Sequence, residues 1–424
     1  MSLRPSSRPV RGAFRAALCA AVISVGCGGR TNGDGGGGNV ASGGSAGVSG
    51  SASGAGMAGG SSAGATAIPP SCAPGGPGMT NCGASSESCC TSLEVTGGAY
   101  FRTYTSDADG GATGLADPAT ISSFRLDKYL VTVARFRQFV AAWNGGEGWL
   151  PPPGSGKHTH LNGGNGLNAA TSTATAGSSF AGQLSGAESA SAGSAYEPGW
   201  VASDDSNIGP TNTTLQSCST YDSWTAAPGP NENLPIDCLN WYEAYAFCIW
   251  DGGFLPSAAE WEYATVGGSR ERLYPWGATD PGSANQYAIY DCYYPTGQEG
   301  GLASCGGATM APVGSVPLGA GLWGQLDLVG NLQEWALDYS YDFGFPDPCT
   351  DCALLLPSEG GCTGCGLAET CDCAFRFLAG NSFDGPGSGL SPSSFAARWA
   401  MNESLGGQSG ERDFTDGFRC ARTP

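Results

Sequence analysis

The spacing of apolar side chains changes several times along this chain, and each change marks an element. Residues 124–129, FRLDKY, alternate apolar and polar with the two-residue period of a half-buried strand. Directly afterwards Val133, Phe136, Val140 and Trp143 recur at helical spacing, and Thr132 stands where a side-chain oxygen caps a first turn. A second helix is predicted within residues 234–250, LPIDCLNWYEAYAFCIW, where Trp241, Ala244, Tyr245 and Cys248 form one core-facing stripe. A third follows in residues 253–264, GFLPSAAEWEYA: Ser257 and Glu260 make a capping box, while Trp261 and Ala264 point inward. Residues 144–223 show no sustained period, and unstructured loops of that length are uncommon without a function. That stretch is expected to be a long loop insertion or a binding surface.

The first 27 residues stand apart from the fold. Arg4, Arg8, Arg11 and Arg15 form a basic leader, and the apolar run at 16–25 is too short to span a bilayer. SVGC at 24–27 resembles the site at which bacterial lipoproteins are cleaved and lipidated, with Cys27 as the lipid acceptor. An ordinary secretory peptide or a short membrane anchor are the alternatives. The expected product is exported and tied to the cell envelope, at the outer membrane, by its N-terminal lipid alone. Residues 28–67 are almost wholly Gly, Ser, Ala and Asn, which cannot bury enough surface to offset chain entropy, so they read as a flexible tether. Residues 68–94 are Cys-rich (Cys72, Cys82, Cys89, Cys90) and need bridges rather than a core. Residues 95–422 suffice for one large domain.

Charge narrows the partners. The chain carries a formal −19, and removing the four leader arginines makes it about −23. Such a field repels nucleic acid and anionic headgroups. Of eighteen cysteines, Cys19 and Cys27 belong to the leader and lipid site; the other sixteen, an even count in an exported chain, read as disulfides, and the CTDC and CTGC pairs at 349–352 and 362–365 read as bridges before they read as a zinc knuckle. The only two histidines, His158 and His160, are separated by one residue. On an extended segment both point the same way and form a candidate transition-metal pair, although no third ligand is evident. Packing or surface roles are the simpler reading. A serine-hydrolase reading of Ser382 or Ser391 lacks a histidine marked as its partner.

Four ordered motifs carry a resemblance. These are the 253–264 run followed by YPWG at 274–277, GLWGQLDLVGNLQEW at 321–335, GNSFDGPGSGLSPSSFAAR at 380–398 and DGFRC at 416–420, preceded by a candidate opening strand VTGGAYF at 95–101. Together they resemble the formylglycine-generating enzymes, or sulfatase-modifying factors, which oxidise a sulfatase cysteine to an aldehyde. The resemblance implies an α+β fold of the C-type-lectin-like kind, rich in loops and stabilised by disulfides and calcium. It also implies a structural calcium held by the carbonyls of Val329, Gly330 and Leu332 with the Glu334 carboxylate. Asn285 is the candidate for a second calcium site, and Cys248 and Cys420 would pair. A further family bridge would link positions occupied here by Thr265 and Phe395. Phe254 and Ala258 stand where the family carries an arginine and a glutamate.

The family's copper-binding cysteines fall, without a gap, on Gly385 and Leu390, neither of which can ligate copper(I). No copper cofactor and no formylglycine-generating activity are expected. Ser382, Asp384 and Arg398 would line the former catalytic groove. The leading expectation is therefore a monomeric, calcium-stabilised pseudoenzyme that binds a peptide, a glycan or another envelope component. The alternatives are a divergent metal-dependent oxidoreductase of the same family and a purely structural envelope protein. An iron-dependent sulfoxide-forming branch of the superfamily needs three histidines, and this chain has two.

Overall fold

The computed structural model describes residues 68–73, 81–106, 111–144, 148–170, 195–295, 310–339, 345, 347–355, 375–385, 407–408 and 410–424. The leader, Cys27 and the tether lie outside them, as do Leu390, Ser391, Phe395, Arg398 and the cysteines between 362 and 373.

Strands and helices follow in the order β1 (Ser92–Val95), β2 (Gly98–Ser106), β3 (Ala112–Ile121), β4 (Phe124–Asp127), α1 (Val133–Asn144), β5 (Asn168–Ala170), α2 (Trp241–Trp250), α3 (Ala258–Val266), β6 (Gln333–Tyr339), β7 (Cys349–Thr350), β8 (Cys352–Leu354), β9 (Phe375–Ala379), β10 (Gly407–Gln408), β11 (Asp416–Gly417) and β12 (Ala421–Arg422). They make four small sheets rather than one: β1-β4-β12, β10-β9-β6-β11, β2-β3-β7 and β5-β8. This is an α+β arrangement in which short strands are joined by long ordered connections.

The helices begin where their caps dictate. Thr132 Oγ1 accepts from the Arg135 amide at 3.3 Å, and the Ser257–Glu260 box closes α3 in both directions at 3.2 and 2.8 Å. A second box, between Asn240 and Glu243, starts α2 at 2.9 and 3.3 Å. Gly267, at φ 72°, ends α3 in the left-handed region that glycine tolerates. The stripe expected on α2 proves too narrow, because every residue from Trp241 to Cys248 is buried. The helix is enclosed by α1, β6 and the 195–215 segment, and such a helix is apolar all round.

The described parts of the 144–223 stretch, expected as a long loop insertion or a binding surface, are tied into the core. Leu161, Leu167, Trp200, Ile208 and Leu215 enter the same core as Phe136, Phe247 and Trp335, and β5 pairs in parallel with β8. The apolar residues there are spaced irregularly among glycines and serines, so no period announces them.

Two buried arginines organise the interior. Arg419 is fully enclosed; its Nε and Nη2 hold Glu334 at 2.7 and 2.8 Å, and its other bonds reach the carbonyls of Asp127, Lys128, Leu326 and Asp327. Arg135 binds Asp127 at 3.0 Å, Asp251 at 2.6 Å and the Ser71 hydroxyl at 3.0 Å, which ties the Cys-rich lead-in to α1. The lead-in itself is closed by Cys72–Cys90 and Cys82–Cys89, and Cys349 bridges to Cys352.

Cys248 on α2 bridges to Cys420, closing a loop with a sequence separation of 172. In the chain-entropy view a loop of that length stabilises by about 5 kcal/mol. The double variant Cys248→Ala/Cys420→Ala is expected to lower the thermal midpoint by several degrees, measured by calorimetry with the other bridges intact.

Candidate functional site

The groove marked by sequence begins where β9 ends. Gly380 turns the chain at φ 84°, and residues 381–385 are fixed by backbone bonds: Phe383 N to Asn331 O at 2.9 Å, Cys292 N to Phe383 O at 2.8 Å and Asp291 N to Gly385 O at 2.9 Å. Phe383 is buried beside Tyr221 and Phe414, with ring centres 5.8 to 6.1 Å apart. The Ser382 hydroxyl donates to Asp384. Burial pushes the Asp384 carboxyl up and the charge of Asp413 adds to it, while the Ser382 hydrogen bond opposes the rise. Asp416 is raised well above the ordinary carboxylate range by burial, with Asp413, Glu411 and Asp384 contributing. The turn thus borders two carboxyls, Asp384 and Asp416, whose proton affinity is raised first by burial and then by nearby negative charge.

Gly385 occupies the first position at which the resemblance places a copper ligand. A Cβ built there lies 1.9 Å from Asn381 Oδ1, so the Asn381 carboxamide fills the space a side chain at 385 would need.

The predicted cation sites separate. Both oxygens of Glu334 are held by Arg419, next to its positive charge, so the carboxylate is not open to calcium. The cradle expected at Val329, Gly330, Leu332 and Glu334 does not fit the ion in this arrangement, because a guanidinium already neutralises its only charged ligand. Asn285 differs. Its Nδ2 donates to Tyr293 O at 3.0 Å, and its Oδ1 is buried without a partner. Among the described residues, the one trio of metal-ligating groups is Cys218, Asp222 and Cys238, and its two sulfurs are joined to each other.

The histidine pair is corrected as well. His158 is wholly buried, with Nδ1 3.0 Å from Glu197 and Nε2 3.0 Å from Glu260. Both nitrogens are committed to carboxylates, so neither offers a lone pair to a metal. The His160 ring lies 6.3 Å away, and its nitrogens are enclosed without partners. Burial alone would lower the His158 pKa, but the charges of Glu260 and Glu197 outweigh it and push it up to about 10. Burial raises Glu260 and His158 lowers it, with the net direction downward. The imidazolium is therefore a buried cation between two buried anions, joining the 148–170 and 195–200 segments to the start of α3. Phe254, which stands where the family carries an arginine, packs on that ring at 3.8 Å between centroids.

Sequence reasoning missed Glu197 as a partner of His158. The available signal was that each is one of very few ionisable groups between residues 148 and 200. Gly166 reports the same closeness, since a Cβ there would fall 2.1 Å from Glu197 Oε1.

The pH consequence follows from the raised folded value. His158 contributes fully below the unfolded pKa near 6.5, and the contribution is lost as pH rises from there through about 10. Stability measured by denaturant at pH 6, 8 and 10 is expected to fall along that window. His158→Ala leaves the two carboxylates without their cation and is expected to cost about 3–5 kcal/mol at neutral pH. The variant should lose the alkaline decline, measured by the same denaturant series.

Several formylglycine-generating enzymes are similar to part of this chain. Formylglycine-generating enzyme of Mus musculus is 33% identical over 127 residues, 28% of this chain and 32% of that protein. That of Streptomyces coelicolor is 38% identical over 112 residues, 25% of this chain and 33% of the relative. "Inactive C-alpha-formylglycine-generating enzyme 2" of Bos taurus is 32% identical over 118 residues, 26% of this chain and 37% of that protein. The matched regions thus span only about a third of these relatives' own lengths. The solved structure of PvdO from Pseudomonas aeruginosa is similar at 17% identity, covering 78% of this chain and 94% of that one, with a TM-score of 0.43. The family model described as sulfatase-modifying factor enzyme 1-like domain matches residues 82–424, and the chain belongs to that family.

Proposed function

We propose that this family member is a non-oxidase binding module of the cell envelope. It is exported and lipid-anchored through Cys27, and it engages a peptide, a glycan or another envelope component at the groove that the resemblance assigns to Ser382, Asp384 and Arg398. The observation that carries the reading is at Gly385. Oxidation of a thiol by oxygen needs a soft copper(I) ligand pair, and the position where the resemblance puts one of its thiolates has no side chain. Asn381 fills the adjacent space. A relative named as inactive lies among the similar proteins, beside relatives named for formylglycine generation. Tyr221 and Phe414, half-buried and packed on Phe383, offer aromatic surface beside the turn that carries Asp384, a combination suited to holding a partner without chemistry.

The test is aerobic incubation of the full chain with a cysteine-containing sulfatase peptide and copper, read by mass spectrometry. The expected product is unchanged thiol peptide. Any aldehyde overturns the reading.

Calcium belongs to the same proposal at Asn285 alone. A buried amide oxygen without a partner suits a hard cation. Chelation is expected to lower the thermal midpoint of the native chain, and Asn285→Ala should abolish the difference between chelated and calcium-loaded protein. A midpoint unmoved by chelation in the native chain would remove calcium from the account.

A further inference from the structure

Among the described residues Arg376 has no acidic partner. It lies on β9 opposite Tyr339 of β6, only 7% exposed. Its guanidinium carbon is 3.6 Å from the Trp241 ring centre and 3.7 Å from that of Tyr339, so both faces are covered. Nη1 donates to Leu337 O at 3.0 Å, whereas Nε is buried without a partner. The other organising arginines are handled differently: Arg135 holds Asp127 and Asp251, and Arg419 holds Glu334. Among the described residues no carboxylate lies within ion-pair distance of Arg376.

A buried cation needs compensation. Two aromatic faces supply part of it. They act above and below the plane; in the plane Nη1 is served by Leu337 O and Nε is not. The edge bearing Nε and Nη2 is the one that matches the two oxygens of a carboxylate in parallel hydrogen bonds. With both faces blocked, a ligand can approach only in that plane, which favours a flat oxyanion over a tetrahedral one.

We infer that the Nε/Nη2 edge of Arg376, walled by Trp241 and Tyr339, is a binding site for the carboxylate of a small organic acid. The site is separate from the Ser382–Gly385 groove and does not rest on the function proposed for it. The ionisable groups whose fields reach Arg376 are Tyr339, Tyr242, Tyr245 and Asp204. Asp204 is the internal rival for the same edge.

The experiment follows the Nε–H resonance of Arg376 in the full chain, assigned with Arg376→Lys, during titration with sodium acetate against sodium chloride at matched ionic strength. The expected result is a saturable shift with acetate that chloride does not reproduce and that sulfate reproduces at least tenfold more weakly. By calorimetry, Arg376→Lys should bind acetate at least tenfold more weakly than the native chain. If that variant does not fold, the Nε–H resonance is assigned through bonds from the Arg376 backbone amide and the titration of the native chain decides. No acetate-specific shift overturns the inference, as does sulfate binding at least as tightly as acetate. A resonance that moves on Asp204→Asn without added acetate also overturns it, because Asp204 then already occupies the edge.

Discussion

The interior of this protein depends on one guanidinium. Arg419 arrives at the end of the chain and reaches residues up to 292 positions earlier, binding the end of β4, the 326–327 turn and Glu334 at the start of β6. Neither partner of the Arg419–Glu334 pair is solvated, so removing one leaves an uncompensated buried charge, a loss of about 3–5 kcal/mol in comparable pairs. The arrangement explains why the 321–335 and 416–420 motifs occur together: each supplies half of the pair.

The same logic recurs around it. Asp127 and Asp251 are neutralised by Arg135 and Arg422, Glu243 by Arg412, and Glu197 with Glu260 by His158. A chain with only 13% charged residues has placed many of them in its interior, where each pair joins distant segments. Regular secondary structure is sparse, and specific charge pairs and bridges hold the long connections where sheets do not.

The parts legible in sequence are those decided locally. The capping residues Thr132 and Ser257, and the β4 strand, depend on neighbours within a few positions. The Cys248–Cys420 bridge is not local; the family resemblance supplied it. The parts that were not legible rest on pairings across sequence. His158 meets Glu197 at a separation of 39 and Glu260 at 102, and no local pattern encodes either. Trp200 and Leu215 looked like loop residues because nothing around them repeats. Phe254, a departure from the family motif, becomes intelligible once His158 is seen packed on its ring.

What remains of the family's chemistry comes down to the turn after β9. Gly385, with Asn381 against it, stands at the first of the two positions where the resemblance places a thiolate. Titration of the reduced-copper form under anaerobic conditions, against a competing copper(I) chelator, tests that account most directly. It predicts no stoichiometric copper(I) binding by the disulfide-intact chain. One tightly held copper(I) per chain would contradict it.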